Sequence, residues 1–240
     1  MQTLRTAIVA ASALLGLGVA VGGGLIAYGL IDARTGDRVV TVRGLAERDA
    51  KADLAILPLR FTRSGDDLAA VQAAVDGDVA KVRGFLAAQG FKPADVDLGR
   101  LEVVDNNSRE YGPQNVRARF ILGQTLVVRS NDVDRVQGAT RNLSDLVRQG
   151  VVLQEFRGAS YIFTKLNDVR PGMIKAATAS ARSGAAQFAA DSGARLGGIR
   201  SASQGSFEIN ARDPVSDGQS ADSSVQKRLR VVTTITYALK

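Results

Sequence analysis

The sequence VRARFILGQTLVVR at positions 116–129 puts Val116, Ala118, Phe120, Leu122, Gln124, Leu126 and Val128 on one parity, with Arg117, Arg119, Thr125 and Arg129 on the other. Successive side chains of a β-strand point to opposite faces. This period of two therefore predicts a long strand with one apolar face and one solvated, arginine-bearing face. The C-terminal stretch repeats the design, with Leu229, Val231, Thr233, Ile235, Tyr237 and Leu239 alternating against Arg228, Arg230, Thr234 and Thr236. Both strands need a layer to cover the apolar side.

Working outward, further strands are predicted at Val39–Leu45, Asp53–Arg63, Val96–Val104, Val151–Phe163 and Gly198–Phe207. Pro58 cannot donate to a ladder, so its strand is expected at an edge or at a bulge. Three helices supply the covering layer. The first has Ser64 as its expected N-cap, Asp67 three residues on, a stripe of Leu68, Val71, Val75, Val79, Val82 and Leu86, and Gly90 as its stop. The second begins near Asn131 and carries Val133, Val136, Thr140, Leu143 and Val147 on one face before Gly150. The third runs from Asn167 or Asp168 to Gly193 with Pro171 expected in its first turn. Its many alanines suit close approach to a sheet or a partner helix, with Ile174 and Phe188 as larger anchors.

The expected order is β-β-α-β-β-α-β-α-β-β, an α+β fold with antiparallel sheets and three helices. Each half contains a strand, a Gly-stopped helix, a strand, a polar loop and a long arginine-faced strand, so a duplicated β-α-β-β unit is expected.

Composition bounds the chemistry. The 240 residues carry a net charge of +7 and are 45% hydrophobic, with no His, Cys or Trp. Without Cys there is no disulfide framework and no thiol nucleophile; without His the commonest general base and zinc ligand is missing. Triad hydrolases and the usual zinc enzymes are excluded.

The run from Thr6 to Ile31 has no charged residue over 26 positions, which exceeds the ~20 needed to cross hydrocarbon. We therefore expect residues 1–31 to form one N-terminal transmembrane signal anchor, 32–37 a short linker and 38–240 the folded α+β domain. Cleavage of the segment as a signal peptide is the alternative. Arg5 before the span favours a cytoplasmic N-terminus, with the large part outside: a single-pass protein of the bacterial inner membrane facing the periplasm. Beyond residue 31 there are 30 Lys and Arg against 24 Asp and Glu, so the exported part stays basic. Aromatics are only 5% and no basic, aromatic-interleaved motif exists, so nucleic acid is not an expected partner; anionic lipid or an envelope polymer fits the charge better, and a basic surface that is merely soluble is a plainer reading than either.

Three stretches, VTVRGLAERDAKADLA at Val40–Ala55, LNDVRPGMIKAATASARSGAAQFAADSGARLGGIRSASQGSFEI at Leu166–Ile209 and RVVTTITYALK at Arg230–Lys240, resemble the SIMPL-domain family. Its bacterial members include periplasmic immunogenic and oxidative-stress-related proteins. The resemblance implies an envelope location and, for some members, ring-like or channel-like oligomers, so a homo-oligomer is expected. It brings no catalytic signature. The long anchor departs from members that have an ordinary cleaved signal peptide.

No coherent catalytic constellation emerges, and no catalytic, cofactor or metal residue is expected. Ser224 and Lys227 have the Ser-x-x-Lys spacing by which a lysine activates a serine, but at a loop-to-strand junction instead of a helix start. Asp66-Asp67 reads as helix capping, and Asp105-Asn-Asn-Ser108 as a turn lacking the Gly and Glu of a calcium loop. An enzyme reading would need Asp53, Tyr161 and Lys165 to converge in a cleft. The exposed arginines Arg117, Arg119, Arg129, Arg228 and Arg230 form the candidate anion-binding set. If their two strands are neighbours they make one cationic face; otherwise they are solvated residues in salt bridges with Glu102, Asp105 and similar partners.

Overall fold

The computed structural model describes residues 16–27, 29, 38–108, 118–213 and 220–240. Its strands are β1 (Val39–Lys51), β2 (Leu54–Gly65), β3 (Val96–Asp105), β4 (Phe120–Ser130), β5 (Ser160–Ile162), β6 (Leu196–Gln204), β7 (Glu208–Ala211) and β8 (Gln226–Leu239). Its named helices are α1 (Leu68–Ala88), α2 (Val133–Arg141), α3 (Ser144–Arg148) and α4 (Leu166–Asp191). The α+β class and the antiparallel pairing agree with expectation, with four helices in place of three.

The chain divides into two compact units. One comprises Glu47–Met173 and Phe207–Arg230; the other comprises Ile174–Ser206, Val231–Lys240 and the chain up to Ala46.

In the larger unit the sheet order is β3-β4-β2-β5, with α1 packed on β2 and β4. The alternation read from β4 holds: Leu122, Gln124, Leu126 and Val128 are buried while Arg129 is exposed. Leu122, Leu126 and Val128 join Leu57, Leu59 and Phe61 of β2 and Val71, Val75, Val82, Phe85 and Leu86 of α1 in one core. Asp67, not Ser64, caps α1, accepting the Ala70 N–H at 3.0 Å, because Ser64 is still paired with Ile121 in the β2–β4 ladder. Gly90 ends the helix at φ +84°, a conformation that favours glycine.

Pro58 lies opposite Val127 of β4. Backbone groups alternate in direction along a strand, so Pro58 shares the direction of Arg60, whose carbonyl accepts from Gln154, and of Thr62, whose N–H donates to Val152. That neighbouring segment leaves the sheet between Gln154 and Ser160, passing through Glu155 at φ 50° and Gly158 at φ +88°. The proline thus faces a stretch of β2 that, among the described residues, has no ladder partner on that side. The same departure corrects the strand expected over Val151–Phe163, of which only Ser160–Ile162 and an isolated Phe61–Leu153 bridge remain.

The helix expected from Asn131 to Gly150 is likewise two pieces. It breaks at Asn142, restarts at Ser144, and buries Leu146 while Val147 is 58% exposed.

In the smaller unit, β8 is the central strand of the order β1-β8-β6. Val40, Ala181, Ala185, Ile235 and Tyr237 form the core. Ala177, Ala181, Ala185 and Ala189 are buried at a strict spacing of four, the inner stripe of α4, and Met173, the last residue of the larger unit's first segment, keeps the same spacing and is also buried. The expected anchors differ: Phe188 is 53% exposed and Met173 takes the buried place. Because α4 starts at Leu166, Pro171 sits in its second turn and not its first.

The expected duplication is visible in part. Sheet order β3-β4-β2 in one unit has its counterpart in β6-β8-β1 in the other, each with a long helix preceding the outer strand. The strand before α4 does not complete the second unit, however. β5 pairs with β2, and β1 from the start of the fold takes that position beside β8.

Of the expected anchor Thr6–Ile31, only residues 16–27 and 29 are described, and 16–27 are helical. Among the described residues no helix is long and apolar enough to cross a membrane.

Candidate functional site

Strand alternation delivers the candidate arginines to the surface, and the neighbouring strands set an acid beside each described one. Arg119, immediately before β4, lies 3.2 Å from Asp105 at the end of β3, and its guanidinium stacks 4.7 Å from the Phe120 ring centre. The hydrogen bond from Arg119 holds the Asp105 carboxyl below the ordinary carboxylate range. Arg129 meets Asp97 across the β3–β4 pair at 3.3 Å. On β8, Arg228 donates to Asp49 of β1 at 2.9 Å, which lowers the Asp49 pKa, and Arg230 lies 3.9 Å from Glu47. Arg117 lies outside the described residues.

β4 and β8 belong to different sheets, so their arginines do not make the single face that adjacent strands would give. Arg119 and Arg129 themselves stand about 33 Å apart along the strand direction. The salt-bridge arrangement extends to Arg60, which reaches Glu102 at 2.8 Å and Glu155 at 3.2 Å.

The other candidate residues take local roles. Asp66 accepts the Arg119 backbone N–H at 3.0 Å. Asp105 accepts the Asn107 N–H at 3.0 Å and its carbonyl accepts from the Ser108 hydroxyl at 2.8 Å, closing the turn read from the sequence. Asp53 binds the Thr164 N–H at 2.7 Å and its hydroxyl at 3.1 Å. Tyr161 is buried in the larger core, where desolvation raises its pKa, and Lys165 is exposed.

The burial of two charged residues escaped the sequence reading. Asp78 is 1% exposed on the inner stripe of α1. Arg63 of β2 holds it with two hydrogen bonds, Nε at 2.6 Å and Nη2 at 2.8 Å, and Lys81 stands 3.5 Å away. Arg63 also donates to the Gly150 carbonyl at 2.8 Å and Lys81 to that of Gln149 at 3.1 Å, so one carboxylate ties α1 and β2 to the end of α3. The signal was an aspartate at the 3-4 spacing of Val71, Val75, Val82 and Phe85.

Lys227 is the second. It continues the buried parity of Leu229 and Val231 and is 1% exposed, with its ammonium donating to the Ala221 carbonyl at 2.6 Å. Burial lowers its pKa. Ser224 donates to the Gln226 carbonyl at 2.9 Å, so both members of the Ser-x-x-Lys spacing bond to backbone.

Beside this segment lies an open cleft of about 660 Å³ bordered by Gln137, Asn210, Asp213, Ser220, Ser223 and Gln226. Its polar groups are chiefly amide and hydroxyl, set among Ala211, Ala221 and Val225, and its one carboxylate is engaged by Arg212 at 2.7 Å. Among the described residues no cluster of acidic side chains is arranged to hold a metal ion.

These features define an α+β protein of two antiparallel sheets, each covered by a long helix, with described β4 and β8 arginines matched to carboxylates. The model of the SIMPL family, described as a protein of unknown function (DUF541), matches residues 40–237, and the chain belongs to that family. No curated protein matches the chain.

Proposed function

We propose that this SIMPL protein is membrane-anchored, faces the periplasm and acts by self-assembly or binding, without catalysis. The observation that carries the assembly reading is the open edge of β3. Among the described residues it is the terminal strand of its sheet, and Leu98, Leu101 and Val103 on it are 57%, 47% and 51% exposed. An edge strand offers unpaired N–H and C=O groups, and an apolar one is a template for pairing with another chain. The bulge between Leu98 and Leu101 interrupts that template, leaving Leu101–Asp105 as the regular segment for a second copy.

The anchor reading draws support from the uncharged run Thr6–Ile31 and from its described helical part, on which Leu17, Val19, Val21, Leu25 and Ile26 are all exposed. Apolar side chains in that number need a cover, and hydrocarbon supplies one. Stress tolerance in the bacterial envelope is the physiological setting we favour.

Light scattering coupled to size exclusion on residues 38–240, which contain both cores, tests the assembly. The expected result is a multimer that dissociates when Leu101→Lys is introduced. A strict monomer at high protein concentration overturns assembly.

A further inference from the structure

Three cations stand in a row at one end of the smaller unit. Arg38 precedes β1, Lys240 follows β8 and Arg195 precedes β6. Backbone hydrogen bonds bring the three strand ends together: Leu239 N–H donates to the Arg38 carbonyl at 2.8 Å, Arg195 N–H to the Lys240 carbonyl at 2.7 Å and Lys240 N–H to the Arg195 carbonyl at 2.8 Å, so Arg38 stands opposite Leu239 on the α4 side of the sheet, and Arg195 stands opposite Lys240 on the other side of the same sheet end. All three are exposed. The arginines of β4 and β8 each have an acid, but none of these three has an aspartate or glutamate partner among the described residues. Asp191, at the nearby end of α4, accepts from Gln187 at 3.0 Å.

The cations are not needed to cap α4 either. Its last carbonyls are already taken: Phe188 by the Ser192 N–H, Ala190 by the Gly193 N–H, and Ala189 by the Ala194 N–H and the Ser192 hydroxyl. Between the strand ends and the helix lies a cleft of about 430 Å³ lined by Arg38, Val39, Phe188, Ser192, Leu239 and Lys240. The ring of Phe188 is 53% exposed at its rim. Cations that pair with no Asp or Glu among the described residues, next to an exposed aromatic ring, match the chemistry of a bilayer interface, where head-group phosphates and buried ring edges coexist.

Chain length adds the decisive restraint. Only residues 32–37 separate Ile31, the end of the uncharged run, from Arg38. Fully extended, that linker spans at most about 25 Å. We infer that the row Arg38, Arg195 and Lys240, with Phe188, is a juxtamembrane site for the phosphate head groups of anionic phospholipid in the membrane that holds the anchor. The inference rests on the anchor reading and assigns to residues distinct from the paired arginines the contact with lipid.

The test uses the full-length chain. Because the sequence has no Cys, Ala190→Cys on the exposed side of α4 gives a single labelling site for a fluorophore. The labelled protein is reconstituted in vesicles of phosphatidylcholine, with or without phosphatidylglycerol, containing a head-group nitroxide quencher. Carbonate extraction of the same vesicles reports the anchor separately. We expect carbonate resistance, stronger quenching with phosphatidylglycerol, and weakening by salt. Each of Arg38→Gln, Arg195→Gln and Lys240→Gln should lower the docked-to-undocked ratio about fivefold at low ionic strength. Resistance to carbonate with quenching that ignores phosphatidylglycerol, or that survives the triple substitution in a normally folded protein, overturns the head-group site and leaves the anchor standing. Release by inorganic phosphate but not by chloride at equal ionic strength overturns it in favour of a soluble-anion site. Extraction by carbonate overturns the anchor reading and this inference with it.

Discussion

Asp78 presents the sharpest energetic question in the molecule, since a carboxylate placed among Val75, Val82 and Leu86 must be compensated or must not be there. Arg63 supplies two charge-assisted hydrogen bonds while its own side chain stays 31% exposed, so the two partners are unequal. Removing the arginine leaves the buried charge without its two hydrogen bonds and with only Lys81, 3.5 Å away, as a cation; removing the carboxylate leaves a guanidinium that still bonds the Gly150 carbonyl and touches water. Arg63→Met is therefore expected to destabilise the fold by about 3 kcal/mol, and Asp78→Asn by clearly less. Urea denaturation of both variants reads the difference, and equal losses would show that the asymmetry of exposure is irrelevant. Lys227 gives a second residue-level expectation. Its folded pKa lies below the ordinary lysine value of about 10.4, so the unfolded chain binds the extra proton between the two values. Stability contributed by this residue must then rise with pH across that window. Lys227→Met, which cannot titrate, is expected to lack the rise when denaturant midpoints are compared from neutral to alkaline pH.

At the scale of elements, α4 and β1 are fitted to each other by what they lack. A Cβ on Gly44 would stand 2.5 Å from the Ala181 nitrogen and 2.7 Å from its Cβ, and would be closer still to the Ala177 carbonyl oxygen. No rearrangement of a side-chain tip relieves a clash with helix backbone. Gly44→Ala is expected to lower stability by about 3 kcal/mol, seen as an earlier thermal transition; a neutral result would mean that α4 can lift from β1 at no cost. The alanine crowding of α4 announced a close approach in the sequence, and β4, β8 and α1 were legible because alternation or a 3-4 stripe ran unbroken through each. The misread elements have local causes. The segment 151–163 has β-forming residues, yet Glu155 and Gly158 turn the backbone away from β2. The second helix has a continuous stripe on paper, but Asn142 ends α2 and bonds its side chain to Gln89 at 3.1 Å, which resets the phase. Phe188 looked like an anchor by size alone, whereas the packing distance set by Gly44 leaves room inward only for alanines and Met173.

For the whole molecule, the difference between what pattern reveals and what only tertiary register creates is plainest at the surface. The arginines of β4 and β8 could be read from parity and Asp105 named among their partners, but not Asp97, Asp49 and Glu47, which arrive from β3 and β1. Arg38, Arg195 and Lys240 carry no common motif at all; three strand ends must meet before they are neighbours. The same charges set the response to pH. With no His and no Cys, no side chain has an ordinary pKa between about 5 and 8, so stability should be flat across that range. Below it, Asp49, Asp105 and Asp213 have folded pKa values under the ordinary aspartate value because Arg228, Arg119 and Arg212 hydrogen-bond them. Their contribution is complete above that ordinary value, about 3.9, and is lost as pH falls through the folded ones. Protonation also removes negative charge from a chain already at +7, so repulsion grows on the acid side and added salt should offset part of the loss. On the alkaline side two buried groups oppose each other. Lys227 adds stability as pH climbs toward its unfolded value, while Tyr161, whose pKa is raised by burial, contributes stability that is lost once pH passes its unfolded value of about 10 and approaches the folded one. Thermal midpoints across the full pH range should therefore trace a plateau with an acid limb that salt softens, and Tyr161→Phe and Lys227→Met should change the alkaline limb in opposite senses. A titration step near pH 6 to 7 would contradict this account, because the sequence contains no ordinary side chain to produce it.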